Sequence, residues 1–184
     1  MKGAVLFAVA VLVICSCSAE AALTCTPTKD PCLCIGKYFI LDINHLFDYP
    51  VSGVPDGVYP EKYNYTYSPC RPLVCNTTEE TTAAVCQYLL YRSENHNCGE
   101  VKEAEWTISE DGPLQFQIHY KGGDVAYGSA RSSIVSFSSN GVLDHNTIKM
   151  LREEKTGENI LYYFEVVIAD RAKFAKAFKH LDHN

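Results

Sequence analysis

The chain has 184 residues, which is enough for one domain, and its formal net charge at pH 7 is −6. An acidic chain without a cluster of lysines and arginines argues against nucleic acids and anionic membranes as partners. The sequence contains no internal repeat and no low-complexity segment.

The first 21 residues have the layout of a secretory signal peptide. One lysine precedes a long apolar run, and small residues follow it up to Ala21. The run is shorter than the roughly twenty residues that a spanning helix needs, which favours cleavage near Ala21 or Ala22 over an uncleaved anchor. No later stretch is apolar for long enough to span a bilayer, so we expect a secreted or lumenal protein without a membrane anchor of its own.

Cleavage there would leave seven of the nine cysteines, which predict disulfides in an oxidising compartment. These cysteines are Cys25, Cys32, Cys34, Cys70, Cys75, Cys86 and Cys98. Because seven is odd, one thiol stays free or pairs between chains. N-glycosylation sequons begin at Asn64 and Asn76.

Short runs with strand character recur along the chain, with turn signals between them. The predicted strands are 37–43, 62–67, 105–109, 114–120, 132–137 and 160–168, while 83–91 is compatible with strand or helix. Within 114–120, apolar side chains from Leu114 to Tyr120 alternate with polar ones and so share one face. This pattern predicts an all-β sandwich or flattened barrel.

Apolar residues near the C-terminal end recur with the period of a helix instead of that of a strand. Phe174, Phe178 and Leu181 fall at helical spacing behind a possible N-cap, Asp170. We therefore expect a short amphipathic helix over 170–181 that docks on the sheet.

Common enzyme and cofactor motifs are missing. The sequence has no His-Glu-x-x-His, no Gly-x-Ser-x-Gly and no phosphate-binding P-loop. The Cys32-Leu33-Cys34 spacing lacks a matching Cys/His pair, so disulfides are a better interpretation than a metal site. A hydrolase using Asp144 and His145 is the weakest alternative. We expect no catalysis, no metal and no cofactor.

Five short motifs follow one another in a distinctive order. They are Tyr65-x-Tyr67-x-x-Cys70-Arg71-Pro72-Leu73, Ala84-Val85-Cys86-Gln87, Tyr120-Lys121-Gly122-Gly123-Asp124 with Arg131 opening the next strand, Glu153-Glu154, and Tyr162-Tyr163-Phe164-Glu165. In this order the chain resembles the mannose 6-phosphate receptor homology (MRH) family, and within it the lumenal domain of the cation-dependent receptor. The resemblance implies a flattened β-barrel lectin domain over 25–172, with a helix or tail over 173–184.

The resemblance also implies a carbohydrate site. The family's four mannose-binding side chains fall on Gln87, Arg131, Glu153 and Tyr162. Glu154, Glu158 and Tyr163 are alternatives for the last two. Carboxylate, guanidinium, amide and phenol together match hydroxyls that donate and accept hydrogen bonds. The implied partners are mannose-containing glycans or glycoproteins.

In the first half of the chain, the resemblance implies that Cys70 pairs with Cys25, Cys32 or Cys34. The hairpin-like connection between Cys75 and Cys86 also suits a disulfide between these two residues.

The chain departs from the family in its second half, which has no cysteine. Two family disulfides are absent as whole pairs, and three of the four positions fall on Ser139, Ile160 and Ala172. The loop before Arg131 is shorter than in the cation-dependent receptor and keeps Asp124 as its only acidic residue, which is too few for a dedicated cation site. A phosphate or cation loop at Asp124 is therefore the weakest expectation, and the ligand can be a bare high-mannose glycan. The rival hypothesis is an interaction protein that has kept the barrel without sugar binding.

Overall fold

The structure is a computed structural model that describes residues 23–75, 82–109, 115–126 and 128–181. The predicted signal peptide, the Asn76 sequon, Leu114 and the last three residues lie outside these ranges. Nothing within the described ranges forms a helix that is both long and apolar enough to cross a membrane.

Strands dominate the part of the chain that the structure describes. They are β1 (Leu23–Pro27), β2 (Leu33–Ile35), β3 (Phe39–Asp42), β4 (Val51–Pro55), β5 (Tyr63–Tyr67), β6 (Val85–Leu89), β7 (Asn95–Asn97), β8 (Ala104–Ser109), β9 (Gln115–Tyr120), β10 (Val125–Ala126), β11 (Ser129–Ser139), β12 (Thr147–Thr156), β13 (Asn159–Ile168) and β14 (Phe178–His180), and the helix α1 is Arg171–Ala177. The predicted all-β fold with a short helix is confirmed.

The strands form two sheets. The larger sheet has the order β12-β13-β11-β9-β8-β1-β2-β3-β14, with β10 paired to β11, and the smaller one has the order β4-β5-β6-β7. The pair β11 and β13 is parallel over ten residues, from Ala130 opposite Asn159 to Ser139 opposite Ile168. Strand β1 pairs through its first half with β8 and through its second half with β2, which lets the larger sheet curl.

Side chains that alternate along the strands fill the space between the sheets. In β9, Phe116, Ile118 and Tyr120 are buried, as the alternation predicted. Phe116 stacks on Phe137 of β11, with ring centroids 4.5 Å apart, and on Phe174 of α1 at 5.7 Å. Burial of an aromatic ring of this size stabilises the fold by about 2–3 kcal/mol, so α1 is docked by its apolar face as expected.

The predicted helix over 170–181 is too long. Asp170 is the N-cap, since its Oδ1 accepts a hydrogen bond from the Lys173 backbone N–H at 2.9 Å, but α1 ends at Ala177. The chain then becomes β14, which pairs with β3. Phe178 stacks on Phe39 of β3 at 4.8 Å. Ladder hydrogen bonds and this stacking stabilise a strand where the spacing of apolar residues fits a helix.

Three disulfides connect the described cysteines. Cys25 pairs with Cys34, Cys32 with Cys70, and Cys75 with Cys86, at Cα–Cα distances of 5.6, 4.9 and 5.4 Å. The expected Cys75–Cys86 bridge is confirmed, and the partner of Cys70 is Cys32. The odd thiol is Cys98, which is buried. Three disulfides are typical of proteins that fold in an oxidising compartment.

Candidate functional site

Polar side chains replace apolar ones at one end of the inner faces of β11 and β13. The inward residues of β11 run Ser129, Arg131, Ser133, Val135 and Phe137, and those of β13 run Tyr162, Phe164, Val166 and Ile168. The parallel register places Ser133 beside Tyr162, so the polar ends of the two strands lie at the same end of the sheet. Burial of polar groups costs free energy unless they find partners, which makes this end the candidate site.

Arg131 and Tyr162 form the centre of the site. Arg131 is only 7% exposed, and its Nε donates a hydrogen bond to the Tyr162 Oη at 3.1 Å. Its Nη1 is buried and finds no acceptor among the residues that the structure describes. Burial raises the pKa of the Tyr162 hydroxyl, so this group keeps its proton. Because its oxygen accepts from Arg131, that proton is free to be donated elsewhere.

Gln87 approaches the same place from the smaller sheet. It lies on β6 opposite Tyr65 of β5, and its Nε2 donates to the Tyr65 Oη at 2.8 Å. Tyr65 in turn donates to Asp56 Oδ2 at 2.8 Å, and its ring lies 5.8 Å from that of Tyr162. The sequence alone does not identify Tyr65 and Asp56 as site residues. The alternation in 62–67 marks Tyr65 as inward-facing, whereas nothing in the turn-rich stretch around Asp56 distinguishes it.

Glu153 is at the exposed rim. It lies on β12 directly opposite Tyr162, so the two residues share a face of the sheet. Loss of hydration and the charge of Asp56 raise the pKa of the Glu153 carboxyl, while the charge of Arg131 opposes that rise. The structure thus brings Gln87, Arg131 and Tyr162 together in the interior and places Glu153 beside them at the surface.

The alternative residues lie elsewhere. Tyr163 is on the opposite face of β13 from Tyr162, and its hydroxyl donates to Glu154 Oε2 at 2.9 Å. Arg152 donates to Glu154 at 3.0 Å and covers the Tyr163 ring at 3.9 Å. Glu158 lies in the turn of the β12–β13 hairpin. The strand register therefore favours Glu153 and Tyr162 over these three residues.

The glycine-rich loop before Arg131 is held by its backbone. The Gly123 N–H donates to the Arg131 carbonyl at 3.1 Å, and the Arg131 N–H donates to the Asp124 carbonyl at 3.0 Å. The Asp124 Oδ2 accepts from the Asn97 N–H at 2.8 Å and lies 3.9 Å from the His96 Nδ1. Asp124 thus joins β7 to the start of β11. Within the described ranges, no three His, Cys, Asp or Glu side chains group in a way that suits a metal ion.

Replacing Gly123 by alanine is expected to lower the free energy of unfolding by about 2 kcal/mol, because a Cβ there overpacks the backbone. The added atom would lie 2.6 Å from the Arg131 carbonyl oxygen and 2.7 Å from that of Asn97. Urea denaturation measures the effect. Gly141→Ala is the control, since the nearest atoms to its Cβ would belong to the flexible Arg171 side chain, at 3.2 Å. Equal midpoints for both variants would contradict the prediction.

The free thiol, Cys98, lies behind the site at the junction of the two sheets. Its N–H donates to the Val85 carbonyl at 2.8 Å, and its carbonyl accepts from the Ser133 Oγ at 2.7 Å. Burial raises the pKa of the thiol, which keeps it protonated and weakly reactive. Cys98 therefore acts as a core residue here.

The residues of the hydrolase alternative are not part of this arrangement. Asp144 and His145 are exposed in the loop that joins β11 to β12. That loop follows the apolar end of β11, and Arg131 is at the other end of the strand.

No family model matches the sequence. A search of curated proteins finds no match either. Among solved structures, the chain is similar to domain 11 of the echidna receptor for mannose 6-phosphate and insulin-like growth factor 2, with a TM-score of 0.49 and 12% identity over 77% of this chain and 95% of that one. It is also similar to the MRH domain of Yos9 complexed with alpha3,alpha6-Man5, with a TM-score of 0.40 and 16% identity over 62% and 72% of the two chains.

Proposed function

We propose that this protein is a lectin of the MRH family that reversibly binds mannose-type glycans through Gln87, Arg131, Glu153 and Tyr162. The observation that carries the proposal is the buried Arg131 Nη1 without an acceptor in the described part of the chain. An unpaired buried donor of a charged group costs more than about 1–3 kcal/mol, so such groups in native proteins call for an explanation. A ligand oxygen at this position would satisfy the donor.

The hydrogen-bonding groups around Arg131 suit a sugar. Arg131 and Tyr162 have donors to spare, and Glu153 supplies an acceptor. Adjacent sugar hydroxyls each donate and accept, so they can pair with donors and acceptors set side by side. A charged partner roughly doubles the strength of such bonds. The axial 2-hydroxyl distinguishes mannose from glucose, and the wrong epimer would leave a buried group of the site unpaired.

Bare mannose fits the surroundings better than mannose 6-phosphate. The Asp124 carboxylate is close enough to Arg131 to interact with its charge, and it would repel a phosphate beside it. Burial and the charge of Arg131 lower the pKa of His96, so this imidazole is neutral at pH 7 and adds no positive charge. We therefore propose a high-mannose N-glycan as the ligand. We also propose secretion or lumenal residence, with glycosylation at Asn64 or Asn76, and no catalysis.

Calorimetric titration with defined sugars tests the proposal. The full chain, expressed through the secretory pathway so that its disulfides form, is titrated with methyl α-mannoside, a high-mannose glycan, mannose 6-phosphate and methyl α-glucoside. We expect the two unphosphorylated mannose ligands to bind and glucoside to bind at least about tenfold more weakly, which corresponds to about 1.4 kcal/mol. No binding of any mannose ligand by the folded protein would favour the rival hypothesis of a barrel without sugar binding.

Binding is expected to weaken at acidic pH because Glu153 must be ionised to accept from two hydroxyls. The pKa of this carboxyl is raised above its ordinary value of 4.5, so protonation begins at a higher pH than for an exposed glutamate. Affinity should therefore be constant near neutrality and decrease as the pH falls through the raised pKa. Titrations between about pH 7.5 and pH 4.5 measure this decrease.

Two amide variants serve as controls for the pH series. Glu153→Gln should bind more weakly at neutral pH and lose the acid-dependent decrease, because its amide does not titrate in this range. Glu154→Gln changes a carboxylate on the opposite face of β12 and should keep the parent's profile. A parent-like pH profile in Glu153→Gln would exclude Glu153 as the titrating group.

A further inference from the structure

We propose that Asp56 determines the direction of the hydrogen bonds in this site and thereby makes Gln87 present its amide oxygen, a pure acceptor, to the ligand. Asp56 does not need to touch the sugar for this role, so it is a specificity-determining residue that acts through Tyr65. The inference rests on the proposed function, since it specifies which ligand group the site selects. The observation behind it is a chain of hydrogen bonds from Asp56 through Tyr65 to Gln87.

The Asp56 side chain accepts every hydrogen bond that it forms with the described residues. The residue is 3% exposed, and its Oδ1 accepts from the backbone N–H groups of Val58 and Tyr59, each at 2.7 Å. Its Oδ2 accepts from the Tyr65 hydroxyl at 2.8 Å. A carboxylate has acceptors only, so the hydrogen of the Tyr65 hydroxyl has to point to Asp56.

The orientation of the Tyr65 hydroxyl also fixes the direction of the next hydrogen bond. With its hydrogen given to Asp56, the Tyr65 oxygen can only accept, and its neighbour must therefore donate. The neighbour is the Gln87 Nε2 at 2.8 Å. The amide of Gln87 is thus held in one of its two orientations, with Nε2 on Tyr65. No residue of the described ranges donates a hydrogen bond to its Oε1.

The other side of the site, at Arg131 and Tyr162, offers hydrogen-bond donors instead of an acceptor. Arg131 Nη1 is a donor without an acceptor in the described ranges, and the Tyr162 hydroxyl accepts from Arg131 Nε, so its hydrogen is available. A ligand that spans the two sides must accept a hydrogen bond from Arg131 and donate one to Gln87. The site therefore selects a free hydroxyl at the Gln87 position and rejects groups that only accept, such as a fluorine or an ether oxygen.

The position of Asp56 is fixed by the strand that carries Glu153. The next residue, Gly57, lies against the main chain of β12, where a Cβ would collide with the Met150 carbonyl. The Gly57 N–H also contacts the Met150 sulfur at 3.3 Å. The Asp56 N–H donates to the Tyr63 carbonyl at 3.1 Å, which attaches this segment to β5. Asp56 is thus held between the two sheets.

Asp56→Asn reverses the chain of hydrogen bonds with little change in shape. The new side chain keeps an oxygen for the Val58 and Tyr59 N–H groups and turns its NH₂ toward Tyr65. Tyr65 then accepts from residue 56 and donates to Gln87, whose amide has to rotate and present Nε2 to the ligand. The variant thus exchanges an acceptor for a donor at the ligand position.

The first readout uses no sugar. In the full chain labelled with ¹⁵N-glutamine, the Gln87 side-chain NH₂ should show nuclear Overhauser effects to the Tyr65 ring in the parent. In Asp56→Asn these effects should weaken because the NH₂ has turned away. Asp48→Asn, which changes an exposed carboxylate in the preceding loop, should keep the parent pattern. An unchanged pattern in the folded Asp56→Asn variant would overturn the proposal.

The second readout is the affinity for methyl α-mannosides in which one hydroxyl at a time is replaced by fluorine. In the parent, one substitution should weaken binding at least about tenfold, or about 1.4 kcal/mol, because fluorine has no hydrogen to give Gln87. In Asp56→Asn the same substitution should cost less than about threefold, relative to the variant's own affinity for methyl α-mannoside. Equal penalties in both proteins would contradict the role of Asp56.

Tyr65→Phe covers the case in which Asp56→Asn fails to fold. It removes the hydroxyl but keeps the ring that packs against Tyr162 and Phe164. Gln87 then loses its fixed orientation, so the fluorine penalty should fall below about threefold. Retention of the parent's penalty would overturn the proposal. If the parent bound no mannoside at all, the proposed function would fail, whereas the nuclear Overhauser pattern would still decide whether Asp56 orients Gln87.

Discussion

Replacing Arg131 by lysine is expected to weaken mannoside binding by about 100-fold, or about 2.7 kcal/mol, in the range of one or two hydrogen bonds to a charged group. The guanidinium uses Nε to hold the Tyr162 hydroxyl and has Nη1 left for a ligand. Lysine keeps the charge but has a single nitrogen, which cannot reproduce the planar fork that makes both contacts. Calorimetry with methyl α-mannoside at pH 7 measures the loss.

Arg152→Lys is the matched control for this prediction. Arg152 is exposed on the other face of the hairpin, where it contacts Glu154 and the Tyr163 ring. The control should bind as the parent does, and the near-UV circular dichroism of both variants should show that the core is intact. If Arg131→Lys bound within about threefold of the parent, the sugar site would have to lie elsewhere.

Removing the Cys32–Cys70 disulfide by a double alanine substitution is expected to cost about 4 kcal/mol of unfolding free energy. Its cysteines are 38 residues apart, against 9 for Cys25–Cys34 and 11 for Cys75–Cys86. In the chain-entropy account, the loss grows with loop length and is about 2.6 kcal/mol for the shortest loop. Among the three disulfides of the described residues, this one also joins the two sheets, because Cys32 precedes β2 and Cys70 follows β5.

Urea denaturation of the three double variants tests this order. The Cys32–Cys70 variant should have the lowest midpoint. A lower midpoint for the Cys25–Cys34 variant would show that loop length and the connection between the sheets do not decide the effect. Cys98→Ala serves as a control for cysteine replacement itself, since Cys98 forms no disulfide.

The strands that the sequence predicts are those with one buried face. Alternation identifies β9, because its buried side chains alternate with less buried ones. The aromatic residues of β5 alternate in the same way in the sequence, although Thr66 between them is buried as well. The sequence does not predict strand β12, because most of its residues are exposed and polar and therefore show no apolar period. Strand β4 lies in a stretch that turn-forming residues dominate, and β14 has apolar spacing that fits a helix. Such edge strands depend on pairing with distant segments, which a local pattern does not contain.

The candidate site, like the fold, can be predicted from the sequence only in part. The motif order marks Gln87, Arg131, Glu153 and Tyr162, and the register of β12 and β13 places Glu153 opposite Tyr162. Asp56 and Tyr65 could not be identified as site residues because their role depends on a contact between a loop and a central strand. The sequence shows which residue types are present, but the direction of each hydrogen bond depends on what its neighbour can donate.

Three of the four proposed ligand residues lie on strands that have a neighbour on both sides, whereas Glu153 lies on β12, an edge of the larger sheet. Segments with fewer supporting contacts open more readily, so the backbone amides of β12 should exchange with deuterium faster than those of β11. A ligand that bridges Arg131 and Glu153 would tie this edge to the interior. Mannoside binding should therefore slow exchange mainly in β12, and mass spectrometry of its peptides would detect ligand binding without a label on the sugar.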